Sequence, residues 1–314
     1  MKIKAMMLSS LCVISLFTSL TFAQMPVARK GPPRVKIGLN SYSFAGMLLD
    51  GLKDGGKGTN LFAVLDFCAE NNIDGVDLTG YFFPGYPNAP TDEYINNIKR
   101  RAFELGVDIT GTGVKNDFAD PDPAKRAADV VLVKRWIDVA QKLGAPVIRV
   151  FAGPPPAGYD DKRAEVAKYM AASLRECAEY GQQKGVLVGV QNHGDFLQTA
   201  DQCIEMVKMV NSPWFGLIVD TGKFLTKDPY AEIEKAIPYA VNFQIKESPF
   251  GQQSPIKTDL KRLMQIVKKS GYRGYLPIET LDTSGSPGAK IPYNPFATVP
   301  IFLKQVKAAM DEVY

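Results

Sequence analysis

Four short apolar runs in the second half of the chain each close on a side chain that can hold a cation or move a proton. Gly185-Val186-Leu187-Val188-Gly189-Val190 leads into Gln191, Asn192 and His193, the single histidine among 314 residues. The runs Phe215 to Asp220, Val241 to Lys246 and Tyr275 to Glu279 have the same design. Together they offer four oxygen donors, Gln191, Asp220, Gln244 and Glu279, two of them charged. Mg²⁺, Mn²⁺ and Ca²⁺ accept carboxylate and amide oxygens, whereas zinc calls for more nitrogen or sulfur. The two glutamines also fit a plainer reading, as strand-end caps that only form hydrogen bonds. Glu279, His193 and Lys246 are the candidates for proton transfer, and Lys223 stands beside them.

Such runs must be placed by elements that bring their ends together. An apolar run without alternation reads as a strand buried on both faces, as parallel strands are. Four more precede it: Val35 to Ser43, Gly75 to Leu78, Val107 to Thr110 and Pro146 to Phe151. Helical spacing separates them, at Leu61, Leu65 and Cys68, and at Val130, Val133, Ile137 and Ala140. It recurs at Ala200, Cys203, Val207 and Val210, and at Leu260, Leu263 and Val267. Eight β/α units over residues 35–314 predict an α/β fold, a single (β/α)₈ TIM barrel. A doubly wound open sheet is the competing architecture. It lacks support because no Gly-x-Gly-x-x-Gly turn follows the first strand. Glycines 106, 144, 185 and 271 precede strands, as expected where helices end at the bottom of a barrel. The long connections, Ala45 to Asn60, Tyr81 to Pro90, Gly153 to Asp161 and Leu281 to Phe296, follow strands and mark the other face as catalytic.

The start of the chain bears on compartment. Lys2 and Lys4, an apolar run from Ala5 to Phe17 and Thr21-Phe22-Ala23 read as a signal peptide over residues 1–23. The run is shorter than the ~20 residues a membrane span requires, so a mature protein without a membrane span, periplasmic or secreted, is expected. A Pro/Gly/Lys leader, 24–34, then precedes the barrel. Loss of Lys2 and Lys4 takes the formal charge from +4 to +2, and the lysines are scattered, so no nucleic-acid partner is implied. Cys68, Cys177 and Cys203 sit at helical, apolar spacing and read as buried small hydrophobes rather than a disulfide framework. A homo-oligomer is left open.

The ordered set Val188-Gly189-Val190-Gln191-Asn192-His193, Leu217-Ile218-Val219-Asp220-Thr221-Gly222, Phe243-Gln244-Ile245-Lys246 and Leu276-Pro277-Ile278-Glu279-Thr280 resembles the sugar phosphate isomerase/epimerase family, with its xylose isomerase-like barrel. Gly75-Val76-Asp77-Leu78 and Ile148 to Gly153 belong to the same resemblance, which runs from Val35 to the C-terminus. The resemblance implies a divalent metal held at strands five to eight by Glu, Asp, His and Glu. Asp220 and Glu279 match that pattern, while Gln191 replaces a glutamate and Gln244 the histidine. The implied metal, Mn²⁺, Mg²⁺ or Ca²⁺, is then weakly held by two carboxylates where the family has three. The implied chemistry is proton exchange next to a carbonyl by two glutamates. An amide cannot take a proton at neutral pH, so Glu279 is left as one base unless His193 or Lys246 supplies a second.

Other residues are open to two readings. Arg149 either lines the mouth or forms an ion pair. Asn116 with Asp117 binds sugar hydroxyls or opens a turn, and Tyr81, Phe82, Phe83 and Tyr86 stack on a sugar or fill a loop core. Lys223 and Lys246 bind an anionic group or pair with Asp220 and Glu247. The leading expectation is an exported isomerase- or epimerase-like enzyme acting on a small carbohydrate, a neutral sugar or keto-glycoside. The alternatives are a lyase or hydrolase on keto-glycosides, with Asp220 and Glu279 as a carboxylate pair, and a non-catalytic sugar-binding descendant.

Overall fold

The apolar runs form eight parallel strands that close on themselves in chain order. A computed structural model describes residues 26–247, 257–281 and 293–314. The strands are β1 (Arg34–Asn40), β2 (Gly75–Thr79), β3 (Asp108–Gly113), β4 (Val147–Phe151), β5 (Leu187–Gln191), β6 (Phe215–Asp220), β7 (Ala240–Lys246) and β8 (Arg273–Glu279). The barrel is sealed where β1 pairs with β8, in register from Arg34↔Arg273 to Leu39↔Ile278. Around it run α1 (Ala45–Gly51), α2 (Leu61–Glu70), α3 (Asp92–Leu105), α4 (Pro123–Leu143), α5 (Arg163–Lys184), α6 (Ala200–Val210), α7 (Pro229–Ala236), α8 (Leu260–Lys269) and α9 (Pro295–Val313). The expected TIM barrel is therefore the fold.

Local chemistry sets the helix limits. Asn60, Thr91, Asp122, Asp228, Asp259 and Asn294 each accept a backbone N–H at a helix start, and Thr199 forms a full capping box with Gln202. At the other ends Gly106, Gly144 and Gly185 adopt φ of 66°, 77° and 71°, the left-handed conformation that costs a glycine nothing.

Strand alternation divides each run into two faces. Val188, Val190, Leu217, Val219, Phe243, Ile245, Leu276 and Ile278 are buried in the layer between strands and helices. The alternate positions carry Gly189, Gln191, Asp220, Gln244, Lys246 and Glu279 into the barrel. That interior is full: a Cβ on Gly189 would stand 2.7 Å from Ile218 Cγ1.

Three boundaries differ from expectation. β1 ends at Asn40 rather than Ser43, because Asn40 Oδ1 accepts the Tyr42 N–H at 2.8 Å and starts a 3₁₀ turn over Ser41–Phe44. The connection from Ala45 contains α1. β3 runs on to Gly113, three residues past the expected end at Thr110. Residues 1–23 and most of the Leu281 to Phe296 connection lie outside the described residues. Among the described residues no helix is long and apolar enough to cross a membrane. Cys68, Cys177 and Cys203 are buried and free.

The segment before β1 lies across the bottom of the barrel. Val27 N donates to Pro238 O at 2.8 Å. The Arg29 guanidinium donates to Ala240 O and stacks 4.8 Å from the Tyr272 ring centre.

Candidate active site

Asp220, Lys246 and Glu279 come from three consecutive strands, and β7 lies between the other two. Register places Asp220 beside Gln244 and Lys246 beside Glu279. The Lys246 ammonium donates to Glu279 Oε1 and stands 3.5 Å from Asp220 Oδ2. All three side chains are at least 95% buried. The amides complete the cluster: Gln191 Nε2 donates to Asp220 Oδ2 at 2.6 Å, and Gln244 Nε2 donates to Glu279 Oε2. Asp220 Oδ1 accepts the Gly222 N–H at 3.0 Å. Burial lowers the Lys246 pKa to about 8, against the upward pull of Asp220.

This donor set is a poor fit for a divalent metal ion. Among the described residues no group of three His, Cys, Asp or Glu side chains gathers into a metal site. The space where Asp220 and Glu279 converge is taken by an ammonium, and both amides turn hydrogens, not oxygens, toward the carboxylates. Two unit charges 4 Å apart interact by about 4 kcal/mol at an effective dielectric of 20, so at similar distances the Lys246 ammonium cancels about half of the pull that Asp220 and Glu279 would exert on a cation. Gln244 Oε1 is buried without a partner.

The cluster floors a pocket of about 730 Å³ at the C-terminal ends of the strands, a volume suited to a small-molecule ligand. Gln191, Gln244, Lys246 and Glu279 line it, with Asp220 just behind. Arg149 also lines it, where the sequence left an ion pair open. Its guanidinium donates to Tyr81 Oη at 2.8 Å and Val114 O at 3.2 Å, and lies 4.1 Å from the Phe151 ring centre. Asn116 binds both sides of the Phe151 peptide at 2.9 Å, and Asp117 Oδ1 accepts from Ala119 N and Asp120 N, which is a turn. Tyr81 faces the pocket and meets Tyr42 and Phe82 edge-on, whereas Phe83 is fully buried against Trp136. The aromatic stretch thus divides between wall and core.

His193 packs on Phe151 with ring centres 4.6 Å apart. Burial first, then Lys223, Arg149 and Lys246, push its pKa down to about 3. The ring is therefore neutral at ordinary pH and suits hydrogen bonding better than carrying a proton. Lys223 lines the same wall.

Several residues escaped the sequence reading. Asn192 clamps β5 to β6 through the Asp220 backbone. Its only signal was its place between Gln191 and His193. Asn40, Tyr42, Thr79 and Asp195 also line the pocket. Asp195 accepts from Gly153 N at 3.3 Å and Leu197 N at 3.1 Å, and burial raises its pKa to about 6. Polar residues at a strand end or in a loop carry no mark of the wall they join.

Solved structures share this arrangement of strands and helices. A xylose isomerase domain protein from Planctomyces limnophilus aligns with TM-score 0.64 at 16% identity, over 90% of this chain and 99% of its own. D-psicose 3-epimerase gives 0.69 at 16% identity, over 88% and 97%. The 3-keto-D-glucoside 4-epimerase of E. coli gives 0.67 at 14% identity, over 88% and 100%. At such identity the likeness is one of fold. The family match is one of sequence: residues 65–295 fit the xylose isomerase-like TIM barrel, and the chain belongs to that family.

Proposed function

We propose that this chain is an exported sugar isomerase- or epimerase-like enzyme, periplasmic or secreted, that removes a proton next to a carbonyl of a neutral sugar or keto-glycoside. The observation that carries the reading is the buried Asp220–Lys246–Glu279 cluster on the floor of the pocket. Glu279 is a carboxylate at the pocket surface and can take a proton from carbon. The neutral imidazole of His193, the Arg149 guanidinium and the orphaned Gln244 Oε1 offer donors and an acceptor for hydroxyls. A substrate hydroxyl on Gln244 Oε1 would relieve an unmet buried acceptor, which costs about 1–3 kcal/mol. Tyr42, Tyr81 and Phe151 supply apolar faces for a ring. The fold neighbours named for epimerising a ketohexose and a keto-glucoside support a carbonyl-bearing carbohydrate.

One strong base favours isomerisation or β-elimination over epimerisation, because inversion at one carbon needs a donor on the opposite face. A weakly held Mn²⁺, Mg²⁺ or Ca²⁺, as the family resemblance implies, would need Lys246 to leave and both amides to turn their oxygens inward. The test is incubation with keto-sugars and keto-glycosides in D₂O, followed by NMR. Deuterium entering at the carbon beside the carbonyl supports the reading. Binding of sugars without exchange would replace it with a non-catalytic sugar-binding role.

A further inference from the structure

We propose that the Lys246 ammonium is the resident cation of this site, and that the protein holds no divalent metal ion there and works without one. The chemical meaning rests on the proton-abstraction reading above; the occupancy of the space between Asp220 and Glu279 does not depend on any substrate.

Three observations converge. β7 runs between β6 and β8, so an inward side chain at 246 can reach the carboxylates of both neighbours, and it contacts Glu279 while standing 3.5 Å from Asp220. Lys246 is also fixed from behind, its backbone N–H donating to Thr221 Oγ1 at 3.0 Å. Finally, Gln191 and Gln244 each spend an N–H on one of those carboxylates. The carboxylates therefore meet hydrogen donors on every side the structure shows, and the acceptor of the cluster left without a partner is a neutral amide oxygen, Gln244 Oε1.

The proton step balances with these groups alone. Glu279 takes the proton from the carbon beside the carbonyl, the C–H electron pair moves into the enediolate, and the negative charge passes from the Glu279 carboxylate to the enediolate oxygen. Lys246 stays protonated and faces the charge before and after the transfer. Glu279 then returns the proton to the neighbouring carbon while the hydroxyl proton of the enediolate passes to its charged oxygen, or the enediolate electron pair expels a β-leaving group, which takes the proton held on Glu279.

The experiment is a titration of metal-stripped full-length mature protein with Mn²⁺, read by the EPR signal of free ion, with no substrate present. Wild type should leave the Mn²⁺ signal undiminished through the micromolar range. Lys246→Met, which removes the positive charge, should bind Mn²⁺ at least about tenfold more tightly, and Lys246→Met with Gln191→Glu about a hundredfold, since each restored charge difference is worth an order of magnitude or more at this depth. One equivalent of Mn²⁺ bound by wild type at micromolar concentration would overturn the proposal. So would a Lys246→Met protein that melts cooperatively yet binds no better than wild type. If either variant fails to fold, the wild-type titration decides alone. Absence of deuterium exchange with sugars would defeat the proton-abstraction reading while leaving this measurement intact.

Discussion

Asn192 holds Asp220 by both ends of its peptide: Nδ2 donates to Asp220 O and Oδ1 accepts from Asp220 N, each at 2.9 Å. This side chain continues the β5–β6 ladder past the last paired strand residues and sets the height of the Asp220 carboxylate in the barrel. Asn192→Ala leaves the buried Asp220 N–H unpaired and its carbonyl with only the longer bond from Lys223 N, at 3.3 Å. The expected loss is about 1–3 kcal/mol, seen as a lower urea midpoint with unchanged slope. Asn192→Asp keeps the acceptor but buries a charge against the Asp220 carbonyl and should lose at least as much. A stability equal to wild type for Asn192→Ala would show that the clamp contributes nothing.

Glu279→Gln removes the proposed base but keeps an amide the size of the carboxylate. Proton exchange at the carbon beside a carbonyl should drop by about 10²–10⁴-fold, while ligand-induced thermal shifts persist. Retention of exchange within a few-fold of wild type would move the base elsewhere.

Gln191→Glu places a carboxylate where an amide N–H now meets Asp220 at 2.6 Å. Without added metal the melting temperature should fall, because two carboxylates then face each other with a single ammonium between three. Added Mn²⁺ should restore part of the loss. A variant as stable as wild type in metal-free buffer would contradict this account of the amide.

Asp77 is buried inside the barrel, and burial raises its carboxyl from an ordinary 3.8 to about 6, with Arg149 pulling the other way. The folded chain therefore holds this proton more tightly than the unfolded one. The stability it lends is full below about pH 4 and is lost as pH rises through about 6, an effect of about 3 kcal/mol. Asp195 acts in the same direction. Asp77→Asn should flatten part of the fall in urea midpoint between pH 4 and 7; an unchanged pH profile would rule out the assignment.

Burial alone pushes the Cys68 thiol far up, and it is the first cause for Cys177 and Cys203 too. None should react with a thiol-specific reagent in the native protein over an hour, and all three should react in denaturant. Stoichiometric native labelling would place at least one of them at the surface.

The barrel was legible because eight short strand-like runs alternate with helical spacing, and β5 and β6 are apolar runs that end abruptly in a polar group, β6 coinciding with the run Phe215 to Asp220. The site was legible as a set of strand ends. What joins to what was not. Lys246 was visible as a candidate base beside the presumed ligands, but its reach to Glu279 depends on β7 lying between β6 and β8 at one register, which no local pattern encodes. Asn116 read as a sugar-binding or turn residue and Asn192 as an ordinary polar one, because a side chain that mimics a backbone partner leaves no periodic trace. His193 looked like a proton carrier by type, and only its depth and its cationic neighbours make it neutral.

The β1–β8 seam joins Arg34 to Arg273, residues 239 positions apart. Nothing shorter than nearly the whole chain can close this cylinder, and Glu279 sits six residues beyond the start of that final pairing. Long-range closure of this kind is slow relative to local helix formation. A chain cut short before β8 would lack Glu279, leaving Lys246 with Asp220 as its one carboxylate partner in the cluster and an open trough in place of a pocket. Competence for chemistry arrives in this molecule at a single moment, with the last strand.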